Sequence, residues 1–76
     1  MTKEYFMKDF SSNLAYMMNY AWIDVKQLSE LTGLSESIIR YYLKGERMPS
    51  AANVVSIAHA LCCHVEDLIN TSEIVK

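Results

Sequence analysis

Apolar residues recur at spacings of three and four through most of this 76-residue chain, which is the period of an α-helix with one buried face. The first stripe predicts a helix that begins near Thr2 or near Asp9, since both residues are favoured N-caps. Trp22 and Ile23 are expected to close this stripe against the next element. The residues of the stripe are Phe6, Phe10, Leu14, Met17, Met18 and Ala21.

Two shorter helical patterns follow, between Val25 and Gly45. The first is predicted to start at an Asp24 cap and to turn Leu28 and Leu31 inward, and Gly33 stands where it must turn sharply. The second starts at a Ser35 cap and ends at Gly45. Its inner face is predicted to consist of Ile38, Ile39 and Tyr42. Gln27, three residues after Asp24, completes a capping box. Two helices separated by such a turn form a helix-turn-helix.

Two further helices are predicted before the chain ends. Ser50, after a turn at Pro49, caps a fourth helix that is expected to bury Val54, Val55, Ile57, Ala58 and Leu61. A short fifth helix uses Val65, Leu68 and Ile69. The expected fold is therefore all-α, a compact bundle of about five helices. We expect one helix-turn-helix domain over residues 1–76, with the motif at about 25–44 and a tail at 71–76.

Composition favours a small binding module over an enzyme. Half of the residues are hydrophobic, with one Pro and two Gly, and no apolar run approaches the roughly 20 residues that span a bilayer. We expect a cytoplasmic protein with no cofactor. Cys62 and Cys63 lie near His59 and His64, but adjacent cysteines lack the spacing of zinc ligands, so no metal site is expected. Reduced thiols are expected, and a bundle this small offers no cleft for a cysteine nucleophile.

From Phe10 to Ile69 the sequence resembles the lambda-repressor-like helix-turn-helix family, which includes phage Cro and cI repressors. The matching run is IDVKQLSELTGLSESIIRYYLKGERMPSAANVVSIAHALCCHVEDLI. It has the family's leucine in helix two, Gly-aliphatic-Ser at the turn, Gly-x-x-x-Pro-Ser after helix three, and a final Ala-Leu followed by a leucine. The resemblance implies a DNA-binding domain whose third helix enters the major groove.

Three positions depart from the family's pattern. Val25 stands where members commonly have a glutamine that touches phosphate. Leu43 replaces a common glutamate near the end of helix three, and we expect it to add core packing. Cys62 replaces a glycine often found after the Ala-Leu of helix four, so that helix must end by another route.

The resemblance also implies which residues reach DNA. Five residues at the exposed side of helix three are expected to contact base edges: Ser35, Glu36, Ser37, Arg40 and Tyr41. Arg40 can donate two hydrogen bonds to guanine, and Glu36 can accept from a cytosine amino group. Phosphate contacts are expected from Lys26, Lys44, Arg47, Ser50 and Asn53. The competing interpretation is that all ten are ordinary solvated side chains.

Net charge argues against strong binding by one copy. The chain carries a net charge of −2, whereas nucleic-acid-binding domains are usually basic. Within residues 24–50 four basic residues balance four acidic residues. The excess of acidic residues follows the motif in the sequence. A homodimer on double-stranded DNA would double the contacts. Its expected interface is Ile69, Ile74 and Val75, and the rival is the amino-terminal set Tyr5, Met7, Tyr16 and Tyr20.

Two classes of function remain. The first is a sequence-specific DNA-binding transcriptional regulator, of the repressor type found in phages, prophages or mobile elements, that binds a palindromic operator as a dimer. The second is a protein-binding module that keeps the fold, such as an antirepressor or inhibitor. Acidic charge and Val25 favour the second class, and the polar side of helix three with Arg40 favours the first.

Overall fold

The computed structural model describes the backbone of residues 3–69 and the side chains of residues 9–69. Five helices make up this part of the chain, as the hydrophobic pattern predicts. They are α1 (Lys3–Ala21), α2 (Val25–Thr32), α3 (Glu36–Lys44), α4 (Ala51–Ala60) and α5 (Val65–Ile69). Helix α1 runs through Asp9, so the expectation of a start at Asp9 is wrong, and Thr2 lies outside the described residues. No helix in residues 3–69 is both long and apolar enough to cross a bilayer.

The helix starts follow the predicted caps. The Asp24 carboxylate accepts a hydrogen bond from the Gln27 backbone N–H at 2.8 Å, and the Gln27 side chain accepts one from the Asp24 N–H at 3.0 Å, which confirms the capping box. Ser35 accepts from the Ile38 N–H and Ser50 from the Asn53 N–H, each at 3.1 Å. Three short helices therefore have fixed first turns.

The helix ends use the left-handed backbone conformation four times. Gly33 and Gly45 adopt it after α2 and α3, with φ of 80° and 74°, as their lack of a side chain permits. Trp22 and Cys62 adopt it after α1 and α4, with φ of 60° and 55°. At Cys62 the backbone N–H donates to the carbonyl of His59, and the next N–H donates to Ala58. Helix α4 thus ends in a Schellman turn without the family's glycine.

Substituting Cys62→Gly is expected to stabilise the protein. A side chain in the left-handed region is unfavourable by about 1 kcal/mol, and the exposed thiol gives up little contact when it is removed. The midpoint of urea unfolding should rise with an unchanged slope. Cys63→Gly is the matched control, since it removes a half-buried side chain that packs on the core, and it should lower the midpoint. A Cys62→Gly protein no more stable than the original would contradict the strain argument.

The core forms where α1 packs against α3 and α5, while α2 packs against α3 and α4, and α4 packs against α5. Phe10 of α1 meets Tyr42 of α3 edge to face, with ring centroids 5.7 Å apart. Two side chains of α1 also donate hydrogen bonds to the backbones of α3 and α5. Ser11 donates to the Leu43 carbonyl at 2.9 Å, and Asn13 donates to the Leu68 carbonyl at 2.8 Å. The other buried apolar residues are Leu14, Met18, Leu28, Ile39, Val54, Ile57, Ala58, Leu61 and Leu68.

Three apolar residues expected inside lie outside. Leu31 is 59% exposed, because it lines an open hollow between α2 and α4 together with Val55 and His59. Val55 is 47% exposed, since it follows buried Val54 by 100° around α4. Trp22 is 89% exposed, because the left-handed turn after Ala21 directs the chain away from the α1 stripe. The predicted position of Phe6 falls outside the described side chains.

Candidate nucleic-acid interface

The exposed face of α3 collects the side chains that the sequence singled out. Glu36, Ser37, Arg40, Tyr41 and Lys44 all lie on this side, and only Glu36 is partly covered. The opposite side buries Ile39 and Tyr42 and half-buries Ile38 and Leu43. The helix therefore has one anchored face and one polar face along its whole length.

Two residues on that face are paired with each other. A guanidinium nitrogen of Arg40 donates to a carboxylate oxygen of Glu36 at 2.9 Å, one helical turn apart. Both side chains are about half exposed, so water and salt weaken the attraction to a few tenths of a kcal/mol. The pair orients Arg40 along the helix, and the weak attraction leaves it free to exchange Glu36 for a stronger partner.

A second cation lies at the far end of α3. The guanidinium carbon of Arg47 lies 5.0 Å from the centre of the Tyr41 ring, a cation–π distance. The left-handed Gly45 turns the chain back, so that Arg47 lies beside the helix that precedes it. The polar face of α3 is thereby extended by a positive charge at its carboxyl end.

The candidates at the start of α4 are linked to α3. The Asn53 side-chain amide donates to the Tyr42 hydroxyl at 2.9 Å, and the Ser50 oxygen caps α4. Asn53 thus couples the start of α4 to the inner face of α3, and part of its hydrogen-bonding capacity is committed there. Ser50 remains exposed, and Ser35 has the same arrangement at the start of α3.

The start of α2 carries one exposed cation and one apolar residue. Lys26 is exposed, whereas Val25 is half-buried against the core and has no polar group to offer a phosphate. Leu43, the second departure from the family's pattern, also packs against the core, as expected. These two departures therefore add apolar contacts and remove polar ones.

The two cysteines differ in their surroundings. Cys62 is exposed and Cys63 is half-buried, and both are free thiols. Burial raises the pKa of the Cys63 thiol, and its electrostatic interactions with the Asp67 carboxylate and with neighbouring Cys62 raise it further. A raised pKa reduces the thiolate fraction at neutral pH, and thiolate is the form that attacks electrophiles or binds metals.

The residues expected at a dimer interface are only partly within the described chain. Ile69 is half-buried and lines a hollow of about 270 Å³ with Pro49, Val54 and Val65, beside the exposed side chains of Met48 and Val55. Ile74 and Val75 lie outside the described residues, as do the side chains of Tyr5 and Met7. The remaining rivals, Tyr16 and Tyr20, are exposed on α1.

Three side-chain contacts at this site were not predicted from the sequence. The Glu36–Arg40 pair had a signal, because an acid four residues before a base is a favourable helical spacing. No sequence pattern indicated the other two contacts, which join Arg47 to Tyr41 and Asn53 to Tyr42. Each contact joins residues across a turn, and only the folded chain defines the geometry of that turn.

Comparison with known protein families gives a match over most of the described chain. A family model described as helix-turn-helix, of the Cro/C1 type, matches residues 23–68, which cover α2 to α5 almost completely. No curated protein and no solved structure matches the chain. The matched range contains both helices of the motif and every side chain of the polar face of α3. The chain therefore belongs to the Cro/C1-type helix-turn-helix family of DNA-binding transcriptional regulators.

Proposed function

We propose that this regulator is a repressor of the phage, prophage or mobile-element type that recognises a palindromic operator as a homodimer. The observation that carries the proposal is the polar face of α3. Its exposed side chains can form hydrogen bonds with base edges, and the opposite side of the helix is anchored by buried Ile39 and Tyr42. An α-helix of this kind fits the major groove, where each base pair presents a distinct pattern of donors and acceptors.

Within this proposal, the residues divide into two roles. Arg40 reads a guanine, with Glu36, Ser37 and Tyr41 beside it, and Ser35 lies at the end of α3 that enters the groove first. The phosphate contacts come from both sides of the motif, namely Lys26, Lys44, Arg47, Ser50 and Asn53. When Arg40 exchanges Glu36 for a guanine, Glu36 would accept a hydrogen bond from a cytosine amino group, so that it is not left as an unpaired acid beside phosphates.

Dimerisation is proposed because one copy has few cations. Two copies related by a two-fold axis would present their α3 helices about 34 Å apart, which is one turn of duplex. The preferred interface is Ile69 with Ile74 and Val75. The apolar hollow beside Ile69 supports this choice, since exposed Met48 and Val55 adjoin it.

The test is selection of bound sequences from a random pool of duplex DNA. We expect a palindromic motif and a log–log salt slope of roughly −4 to −5, because the dimer would neutralise about four to six phosphates. The control is the double variant Arg40→Ala/Lys44→Ala, which should enrich no motif. If the original protein also enriches none at low salt, the protein-binding alternative, an antirepressor or inhibitor, replaces this proposal.

A further inference from the structure

The two helices that carry most of the proposed DNA contacts, α3 and α4, do not pack against each other along their backbones. No Cα atom of α3 lies within 8 Å of a Cα atom of α4, whereas α2 packs against both helices. Both helices lie wholly within the described residues. Side chains must therefore define how the start of α4 lies relative to α3.

One hydrogen bond spans this gap. The Asn53 side-chain nitrogen donates to the Tyr42 hydroxyl at 2.9 Å, and among the hydrogen bonds of residues 9–69 it is the only one that joins α3 to α4. Tyr42 is 3% exposed, and its ring meets Phe10 edge to face. The backbone N–H of Asn53 donates to the Ser50 hydroxyl at 3.1 Å. The bond thus links a fixed ring of α3 to the capped first turn of α4.

The Asn53 amide keeps a second donor. A side-chain amide nitrogen carries two N–H groups, and the Tyr42 hydroxyl accepts one of them. Because the amide group is planar, holding one N–H in place also fixes the direction of the other. Asn53 is only half-buried, and exposed Ser50 lies beside it in the same turn. A phosphate oxygen accepts hydrogen bonds, so it is a suitable partner for this second N–H.

We propose that Tyr42 is a positioning residue for DNA binding, whose hydroxyl directs the Asn53 amide towards a phosphate while α3 occupies the major groove. The inference rests on the proposed function, in which α3 contacts base edges and the start of α4 contacts the backbone. Phosphate contacts fix the register of a protein on the duplex, so the two helices must keep the separation between a base edge and a phosphate. Tyr42 is buried, and it acts through Asn53.

The hydroxyl contributes by ordering Asn53 before DNA arrives. Without the bond, the Asn53 side chain is free to adopt other rotamers, and ordering it at an interface reduces the affinity. Asn53 is uncharged, so its phosphate contact releases no counterion. The effect of losing the hydroxyl should therefore be the same at every salt concentration, unlike the loss of a lysine.

The test measures the affinity of the full-length chain for the selected operator. Tyr42→Phe keeps the buried ring and removes only the hydroxyl. It should weaken binding about three- to tenfold for each half-site, with an unchanged salt slope and an unchanged preference among base pairs. Asn53→Ala should weaken binding at least as much. Adding Tyr42→Phe to Asn53→Ala should then weaken binding by less than about twofold, since the hydroxyl acts through Asn53.

Ile57→Val is the matched control for stability, because it removes one methyl group from a fully buried side chain of α4 and changes no proposed DNA contact. It should lower the midpoint of urea unfolding, as Tyr42→Phe does, and leave the affinity for the operator unchanged. All affinities are measured at a temperature at which circular dichroism shows every variant to be folded.

Equal losses of affinity in Tyr42→Phe and Ile57→Val would overturn the inference, because reduced stability would then explain both. Additive losses from Tyr42→Phe and Asn53→Ala would also overturn it, since Tyr42 would not act through Asn53. In either case the original protein still binds its operator, and the proposed function stands. A protein that selects no operator at all removes the proposed function and this inference together.

Discussion

Phe10→Ala is expected to lower the free energy of unfolding by about 3–5 kcal/mol, the largest effect on stability of any single change considered for this chain. The Phe10 side chain is fully buried, and its ring meets Tyr42 at 83°, so truncation loses both apolar burial and the edge-to-face contact. A domain of this size is stable by roughly 4–11 kcal/mol in total. Urea unfolding at 25 °C should therefore show a midpoint far below that of the original protein.

Two controls separate packing from helix propensity. Ser12→Ala changes an exposed position of the same helix and should alter stability by less than about 0.5 kcal/mol. Phe10→Leu keeps an apolar group in the site and should be less destabilising than Phe10→Ala. If Phe10→Ala unfolds at nearly the original urea concentration, the stability of the core does not depend on the packing of α1 against α3.

Arg40→Ala is expected to weaken binding to the selected operator by about 1–3 kcal/mol for each half-site and to relax preference at one base pair per half-site. The reason is that a guanidinium makes two directed hydrogen bonds to guanine, and alanine makes none. Titration against the operator and against each single-base variant of it measures both effects. The substitution should not affect folding, because the Arg40 side chain is exposed and its pairing with Glu36 contributes little.

Lys44→Ala is the matched control on the same exposed side of α3. As a proposed phosphate contact, Lys44 should affect all sequences alike, and its loss from both copies of the dimer should reduce the magnitude of the salt slope by about two. Glu36→Gln provides a second comparison, since it removes the charge that orients Arg40 and keeps the size of the side chain. Uniform losses across all DNA sequences in Arg40→Ala would show that Arg40 contacts backbone only.

The helix starts were predictable because caps are local. The hydrogen bonds at Asp24, Ser35 and Ser50 each join residues three positions apart, so the sequence contains both partners. The glycine ends at Gly33 and Gly45 are local for the same reason. The end of α4 was not predictable, because Cys62 has no intrinsic preference for the conformation that it adopts.

The wrong burial predictions have a different cause. Periodicity shows which residues share a side of a helix, and it does not show how far a neighbouring helix extends. Leu31 and Val55 lie at the margins of their stripes, on the open hollow between α2 and α4. Of the candidate site, the exposed positions of α3 followed from the helical period, whereas the contacts of Arg47 and Asn53 required the turns of the folded chain.

The separation of α3 into two sides has a consequence for how such proteins diversify. Ile39 and Tyr42 hold the helix in place, and the outward residues contribute almost nothing to the interior. Exchanges at Ser37, Arg40 or Tyr41 therefore carry little penalty in stability. A duplicated gene could acquire a new recognition sequence in a few substitutions while its product remains folded at every step. The same property makes this helix suitable for transplanting the outward residues of one regulator onto the frame of another.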